Sequence, residues 1–111
     1  MLPSDMEIIA AKEAMKDAGV SPEEIGLVMT FSMPSDHISD TTANRVHHEL
    51  GLVNATAYGI HVYCFSINAM MNIAHQFIAN GVHKYVLLLT SCKWSNGLDF
   101  TTSMSVMSGD A

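Results

Sequence analysis

The sequence predicts an α/β fold of βαβ units with mostly parallel, buried strands. Two apolar runs of strand length, LVMTFSM at 27–33 and YVLLLTS at 85–91, contain no charged residue, as is typical of strands covered on both faces. Stretches with apolar residues at helical spacing alternate with these runs. Because alternating strands and helices favour a parallel sheet, we expect one sheet with helices packed against it.

Composition limits the possible partners. The chain of 111 residues has eleven Asp and Glu against five Lys and Arg, a net charge of −6. It lacks a basic cluster, so we expect no nucleic acid partner. No apolar run reaches the roughly 18 residues of a membrane span, and the first residues lack the regions of a signal peptide, so we expect no membrane and a cytoplasmic location. Only 14% of the residues are charged, which suggests that a partner or further sequence covers part of the surface.

The first helix is predicted over residues 5–18. Ser4 and Glu7 have the spacing of a capping box, and apolar residues then recur at helical intervals until Gly19, a plausible stop.

Two further start signals follow the first helix. Ser21, three residues before Glu24, can begin one helical turn before the strand. After a polar loop, Ser39 or Asp40 can cap the next helix, which ends at Gly51.

The second half of the sequence predicts a complete βαβ unit: a strand at 55–62, a helix at 65–80 and the strand at 85–91. Its crossover should be right-handed. The helix is apolar almost all round, and its polar residues form a single stripe of Asn68, Asn72, His75 and Gln76. We therefore expect this helix to be buried on most of its surface.

Cys64 is the candidate nucleophile, since it lies where the predicted strand ends and the helix begins. The free N–H groups and the dipole of a helix start favour thiolate over thiol and could hold an oxyanion. A lone cysteine is also a common packing residue, so position alone leaves both interpretations open. Cys92 follows a strand too, but Lys93 and Trp94 come next without a clear helix, and we expect Cys92 to have a packing role.

Histidines offer little support for other chemistry. His47 and His48 are adjacent, so on a helix they cannot face one ion, and no H-x-x-x-H or C-x-x-C spacing occurs. Alternation along a strand sends His61 and Cys64 to opposite faces, and only a bend in the strand would allow a Cys–His pair. We expect no metal.

Four blocks, in order, resemble the ketoacyl-ACP synthase III branch of the thiolase-like superfamily. They are AKEAMKDAGVSPEEIGLVMTFSMPSD, TTANRVHHELGL, AYGIHVYCFSINAMMNIAHQFIANGVHKYVLLLTS and the final SGDA. The resemblance implies a thiolase-like fold, in which Cys64 is the catalytic residue that takes an acyl group from acyl-CoA or acyl carrier protein as a thioester. A malonyl thioester would then lose carbon dioxide and attack that acyl group, although some relatives pass it to an alcohol or amine. The resemblance also implies that no further cofactor is needed, and that the chain forms a homodimer or complements another subunit.

Several positions depart from the family pattern around the cysteine. Gly59 replaces the aspartate of the cysteine strand, and Val62 and Tyr63 replace two alanines. Phe65 and Ser66 replace a small residue and a glycine, so we expect Phe65 to crowd the usual acyl pocket.

The resemblance lies inside the N-terminal half of the family chain. We expect residues 1–111 to be a partial N-terminal thiolase-like domain, with the C-terminal half and its catalytic histidine and asparagine absent. The predicted function is that of an acyltransferase or decarboxylative condensing enzyme of fatty acid or polyketide biosynthesis, completed by the missing half or a partner. The alternatives are a non-catalytic dimerisation or interaction subunit of a condensing enzyme, or an inactive truncated fragment. The acyl chain and the second substrate are not specified.

Overall fold

The computed structural model describes residues 1–39, 41–103, 105 and 109–111. Within them, helices and strands alternate as predicted: α1 Pro3–Ala18, β1 Ile25–Met33, α2 Thr42–Glu49, β2 Thr56–Gly59, α3 Ser66–Ala79 and β3 Tyr85–Cys92. Short 3₁₀ turns lie at Pro22–Glu24, Tyr63–Phe65 and Trp94–Asn96.

The three strands form one parallel sheet in the order β2-β1-β3. In the register of the sheet, Val28 of β1 lies between Ala57 of β2 and Leu87 of β3. The parallel arrangement confirms the predicted fold class. The two strands of the predicted βαβ unit, β2 and β3, are not neighbours but flank β1 on either side.

Helices cover the sheet on both faces and bury two separate cores. The first core joins α1 and α2 to one face of the sheet and contains Ala11, Met15, Ile25, Val28, Val46, Leu50, Leu52, Leu87 and Leu89. The second core joins α3 to the other face and contains Leu27, Met29, Phe31, Met70 and Ala74. Successive residues of β1 therefore enter different cores, as the alternation of a strand requires.

The start of α1 differs from the prediction. The helix begins at Pro3, and its N-cap N–H, from Leu2, donates to Asp5 Oδ2 at 2.7 Å. The expected cap, Ser4, is instead a buried residue inside the helix. Gly19 ends the helix as predicted, in the left-handed conformation with φ 65°.

Glu7 was expected to complete the cap of α1, but it bridges the sheet. Its side chain is buried, and Oε1 accepts hydrogen bonds from Ser32 Oγ at 2.6 Å and Ser91 Oγ at 2.7 Å. Because these serines lie near the carboxyl ends of β1 and β3, the carboxylate ties α1 to both strands at that end of the sheet.

The later boundaries are close to the expected ones. The Ser21 N–H donates to Glu24 Oε2 at 2.8 Å, which confirms the second start signal. The N-cap of α2 is Thr41, so the expectation for Ser39 is wrong, while Asp40 lies outside the described residues. The strand β2 is shorter than the predicted 55–62, because the chain leaves the sheet after Gly59.

The helix α3 is less buried than predicted. Its polar stripe is exposed as expected, but within this chain only Ser66, Met70 and Ala74 are fully buried. Three large apolar side chains, Ile67, Met71 and Ile78, are exposed beside that stripe. Among the described residues, no helix is both long and apolar enough to cross a membrane.

Candidate active site

Cys64 lies in the 3₁₀ turn Tyr63–Phe65, between β2 and α3, and it is exposed. The turn follows the carboxyl end of β2, at the edge of the sheet where binding sites of parallel α/β proteins collect. The structure therefore places the candidate nucleophile at the start of α3, as the sequence predicted.

The backbone around Cys64 is strained and braced. Tyr63, the residue before it, has φ 49°, in the left-handed region that costs a residue with a side chain roughly 1–2 kcal/mol. Three hydrogen bonds hold the turn: Phe65 N–H donates to Val62 O at 3.1 Å, Ser66 N–H donates to Tyr63 O, and Val62 N–H donates to Ser66 Oγ at 2.9 Å. Since Ser66 is buried, this brace fixes the turn to the body of the protein.

The first turn of α3 provides hydrogen-bond donors beside the thiol. The N-cap residue, Phe65, has an apolar side chain and makes no capping hydrogen bond. The N–H groups of Phe65 and Ser66 already donate to Val62 O and Tyr63 O. The N–H groups that follow in the first turn of a helix lack partners within the helix, and its dipole adds partial positive charge there. This end of α3 is thus suited to stabilise a thiolate or an oxyanion.

A cavity of about 200 Å³ adjoins Cys64. Its walls come from the carboxyl ends of β1 and β3, from the turn before α3, from the first turn of α3 and from the last residue: Phe31, Tyr63, Cys64, Ser66, Ile67, Thr90, Ser91, Cys92 and Ala111. The volume is below the roughly 300–1,000 Å³ of drug-sized ligand pockets, so the cavity suits a small group rather than a whole cofactor.

One of the family departures has a different effect from the one expected. Phe65 was expected to crowd the acyl pocket, but its side chain is 68% exposed and does not line the cavity. Tyr63 and Ser66, two of the other departures, do line it.

Cys92 is the site residue whose position the sequence analysis missed. It is the last residue of β3, it is partly buried, and it lines the same cavity as Cys64. Burial, and then the charge of Cys64, raise the pKa of the Cys92 thiol. The signal was available, because the carboxyl ends of parallel strands meet at one edge of a sheet.

No histidine lines the cavity beside Cys64 among the described residues. The ring of His61 packs edge-on against Phe31, with 5.7 Å between ring centroids, and His61 lines a different cavity. Over the described part of the chain, no three His, Cys, Asp or Glu side chains form a group that could bind a metal ion.

Comparisons with known proteins find relatives of one kind. The profile of the 3-oxoacyl-[acyl-carrier-protein (ACP)] synthase III family matches residues 58–111. The beta-ketoacyl-[acyl-carrier-protein] synthase III of Geobacillus kaustophilus is 35% identical over 108 residues, which are 96% of this chain and 35% of that protein.

Solved structures show the same likeness. The 3-oxoacyl-[acyl-carrier-protein] synthase III of Aquifex aeolicus superimposes with a TM-score of 0.87 and 28% identity, over 95% of this chain and 34% of that one. The priming beta-ketosynthase of the R1128 polyketide pathway also gives 0.87, with 27% identity over 94% of this chain and 31% of its own. The chain thus spans about a third of the length of these relatives.

Proposed function

Since this chain is a 3-oxoacyl-[acyl-carrier-protein] synthase III-like protein with a thiolase-like fold, we propose that Cys64 accepts an acyl group from an acyl thioester. The observation that carries the proposal is the position of Cys64: it is exposed, it lies in the turn directly before α3, and it borders a small cavity. The donors proposed are acyl-CoA and acyl carrier protein.

The step is a thioester exchange. The Cys64 thiolate attacks the carbonyl carbon of the donor, and the N–H groups at the start of α3 stabilise the oxyanion. The donor's carbon–sulfur bond then breaks, its thiolate leaves, and the acyl group stays on Cys64. The later condensation with a malonyl thioester, or transfer to another nucleophile, is proposed for this chain only together with a partner or further sequence that completes the site.

The test is acylation of the purified chain. Acetyl-CoA is added with and without a full-length homologue from the same source, and intact mass is measured. We expect one acetyl adduct that hydroxylamine releases, absent from Cys64→Ala and retained in Cys92→Ala. If the unsubstituted chain gains no adduct in either condition, or if Cys64→Ala still gains it, Cys64 is not the acyl acceptor.

A second candidate function is that of an interaction subunit, proposed from the apolar flank of α3. Ile67, Met71 and Ile78 lie four and seven residues apart, so they share one side of the helix, and each is more than a third exposed. Such a stripe on a helix is typical of a contact surface. We propose a second copy of this chain as the partner on this flank.

The pairing is tested by sedimentation velocity over a range of concentrations. Unsubstituted protein should shift from monomer to dimer as concentration rises, and Met71→Lys should remain monomeric. His75→Lys, which adds the same charge on the exposed polar stripe, is the matched control and should still pair. A chain that stays monomeric throughout, or that pairs only with a larger homologue, would rule out the homodimer. The cytoplasmic location stays a prediction.

A further inference from the structure

Cys92 faces the same side of the sheet as α3. Successive side chains of a strand point to opposite faces, and Ser91 donates to Glu7 on the face covered by α1. Cys92 therefore points to the other face, where Val86 and Leu88 of the same strand contribute to the core beneath α3.

Cys64 lies at the same cavity as Cys92 but comes from the other part of the chain, the turn before α3. Its turn, Tyr63–Phe65, lies directly before α3 and shares a cavity with the carboxyl end of β3, where that strand ends at Cys92. Both thiols line one small cavity. The charge of Cys64 also acts on Cys92, and such an interaction weakens with distance, which supports their proximity.

We propose that Cys64 and Cys92 form a dithiol modification site that a hydroperoxide converts to an intrachain disulfide. The proposal goes beyond acyl transfer and does not depend on it, because it requires only two thiols in one cavity. It gives the second cysteine a chemical role that a packing residue would not have.

Cys64 reacts first, because it is the exposed thiol. Its thiolate attacks one oxygen of hydrogen peroxide: a sulfur–oxygen bond forms, the oxygen–oxygen bond breaks, and the hydroxide that leaves takes up a proton to become water. Cys64 is now a sulfenic acid. Its charge no longer adds to the raised pKa of Cys92, whereas burial, the larger cause, still does.

Cys92 then resolves the intermediate. Its thiolate attacks the Cys64 sulfur, the sulfur–sulfur bond forms, and the sulfur–oxygen bond breaks. The hydroxide that leaves combines with the proton released by Cys92 as a second water. Two thiols have lost two electrons and the peroxide has gained them. While the disulfide persists, Cys64 has no thiolate, so the acylation proposed above stops until a thiol reductant restores both cysteines.

The test treats the unsubstituted chain with hydrogen peroxide, once in buffer and once in concentrated urea. In buffer we expect the loss of both free thiols, a mass decrease of two hydrogen atoms, and a digest without reductant in which the Cys64 and Cys92 peptides are joined. Dithiothreitol should reverse all three changes. In urea the joined peptide should form more slowly, because the fold no longer holds the thiols together.

Two variants assign the roles. In Cys92→Ser, Cys64 should gain oxygen atoms instead of a disulfide, and in Cys64→Ser the thiol of Cys92 should react more slowly than Cys64 does. The proposal is overturned if the unsubstituted chain in buffer keeps a free Cys92 thiol beside an oxygenated Cys64, if its disulfides join separate chains, or if the joined peptide forms as fast in urea. These readouts need no acyl donor, so they are independent of the acylation test.

Discussion

Met70 and Met71 provide the sharpest test of how α3 lies on the sheet. They are neighbours in sequence with the same side chain, yet Met70 is 0% exposed in the core with Leu27 and Met29, whereas Met71 is 58% exposed. Substitution of each by alanine therefore changes the same atoms in two different surroundings.

The expected difference is large. Replacing a buried methionine by alanine removes its transfer free energy and leaves a cavity, which costs about 2–5 kcal/mol. The same change at an exposed position stays within about 0.5 kcal/mol. For a domain of this size, Met70→Ala should lower the melting temperature on the order of 10 °C.

Urea denaturation followed by circular dichroism measures the free energy of unfolding of both variants, and a thermal scan measures their melting temperatures. The work is done at the lowest usable concentration, because pairing of chains through the flank of α3 would add to the cost of Met71→Ala. Equal losses for the two variants at that concentration would refute the placement of α3, as would a Met70→Ala variant with unchanged stability.

Three further predictions use the same denaturation assay. A methyl group at Gly26 would collide with the imidazole of His83, so Gly26→Ala should lower the free energy of unfolding by about 1–3 kcal/mol. Adding His83→Ala to that variant should restore part of the loss, and a Gly26→Ala variant of unchanged stability would contradict this contact. Because Tyr63 has φ 49° and is exposed, Tyr63→Gly should be at least as stable as Tyr63→Ala, and a clearly weaker glycine variant would show that the turn is not strained. Hydrogen bonds from Ser21 hold the pKa of Glu24 below its usual 4.5. A carboxylate with a lowered pKa in the folded state stabilises the fold above its unfolded pKa, and this contribution is lost as the pH falls. The unsubstituted chain should therefore lose more stability below about pH 4.5 than Glu24→Gln, and equal losses would argue against the bond.

Local patterns predicted the elements of this fold well, because the signals lie within a few residues. Gly19 and Gly51 adopt the positive φ expected of residues that end helices. The predicted helix at 65–80 is observed as Ser66–Ala79. The candidate nucleophile, Cys64, was located by the same kind of boundary signal.

Contacts between distant residues were not predictable in this way. The capping-box spacing of Ser4 and Glu7 has no such role, because the carboxylate finds hydroxyl donors 25 and 84 residues away. The order of the strands is likewise set by packing of the whole sheet. For Cys92, the rule that the carboxyl ends of parallel strands meet at one edge indicates the right edge of the sheet, but the cavity that it shares with Cys64 depends on the folded chain.

The narrow attachment of α3 has a consequence for motion. β1 is bonded to a strand on each side and covered by both cores, whereas α3 rests on the sheet along a single buried stripe. Amide hydrogens of α3 should therefore exchange with deuterated solvent sooner than those of β1, through openings that leave the α1 side intact. Each such opening would move the amides around Cys64 apart and separate Cys64 from Cys92, so the balance between opening and closing of this helix sets the fraction of time for which the thiol pocket exists.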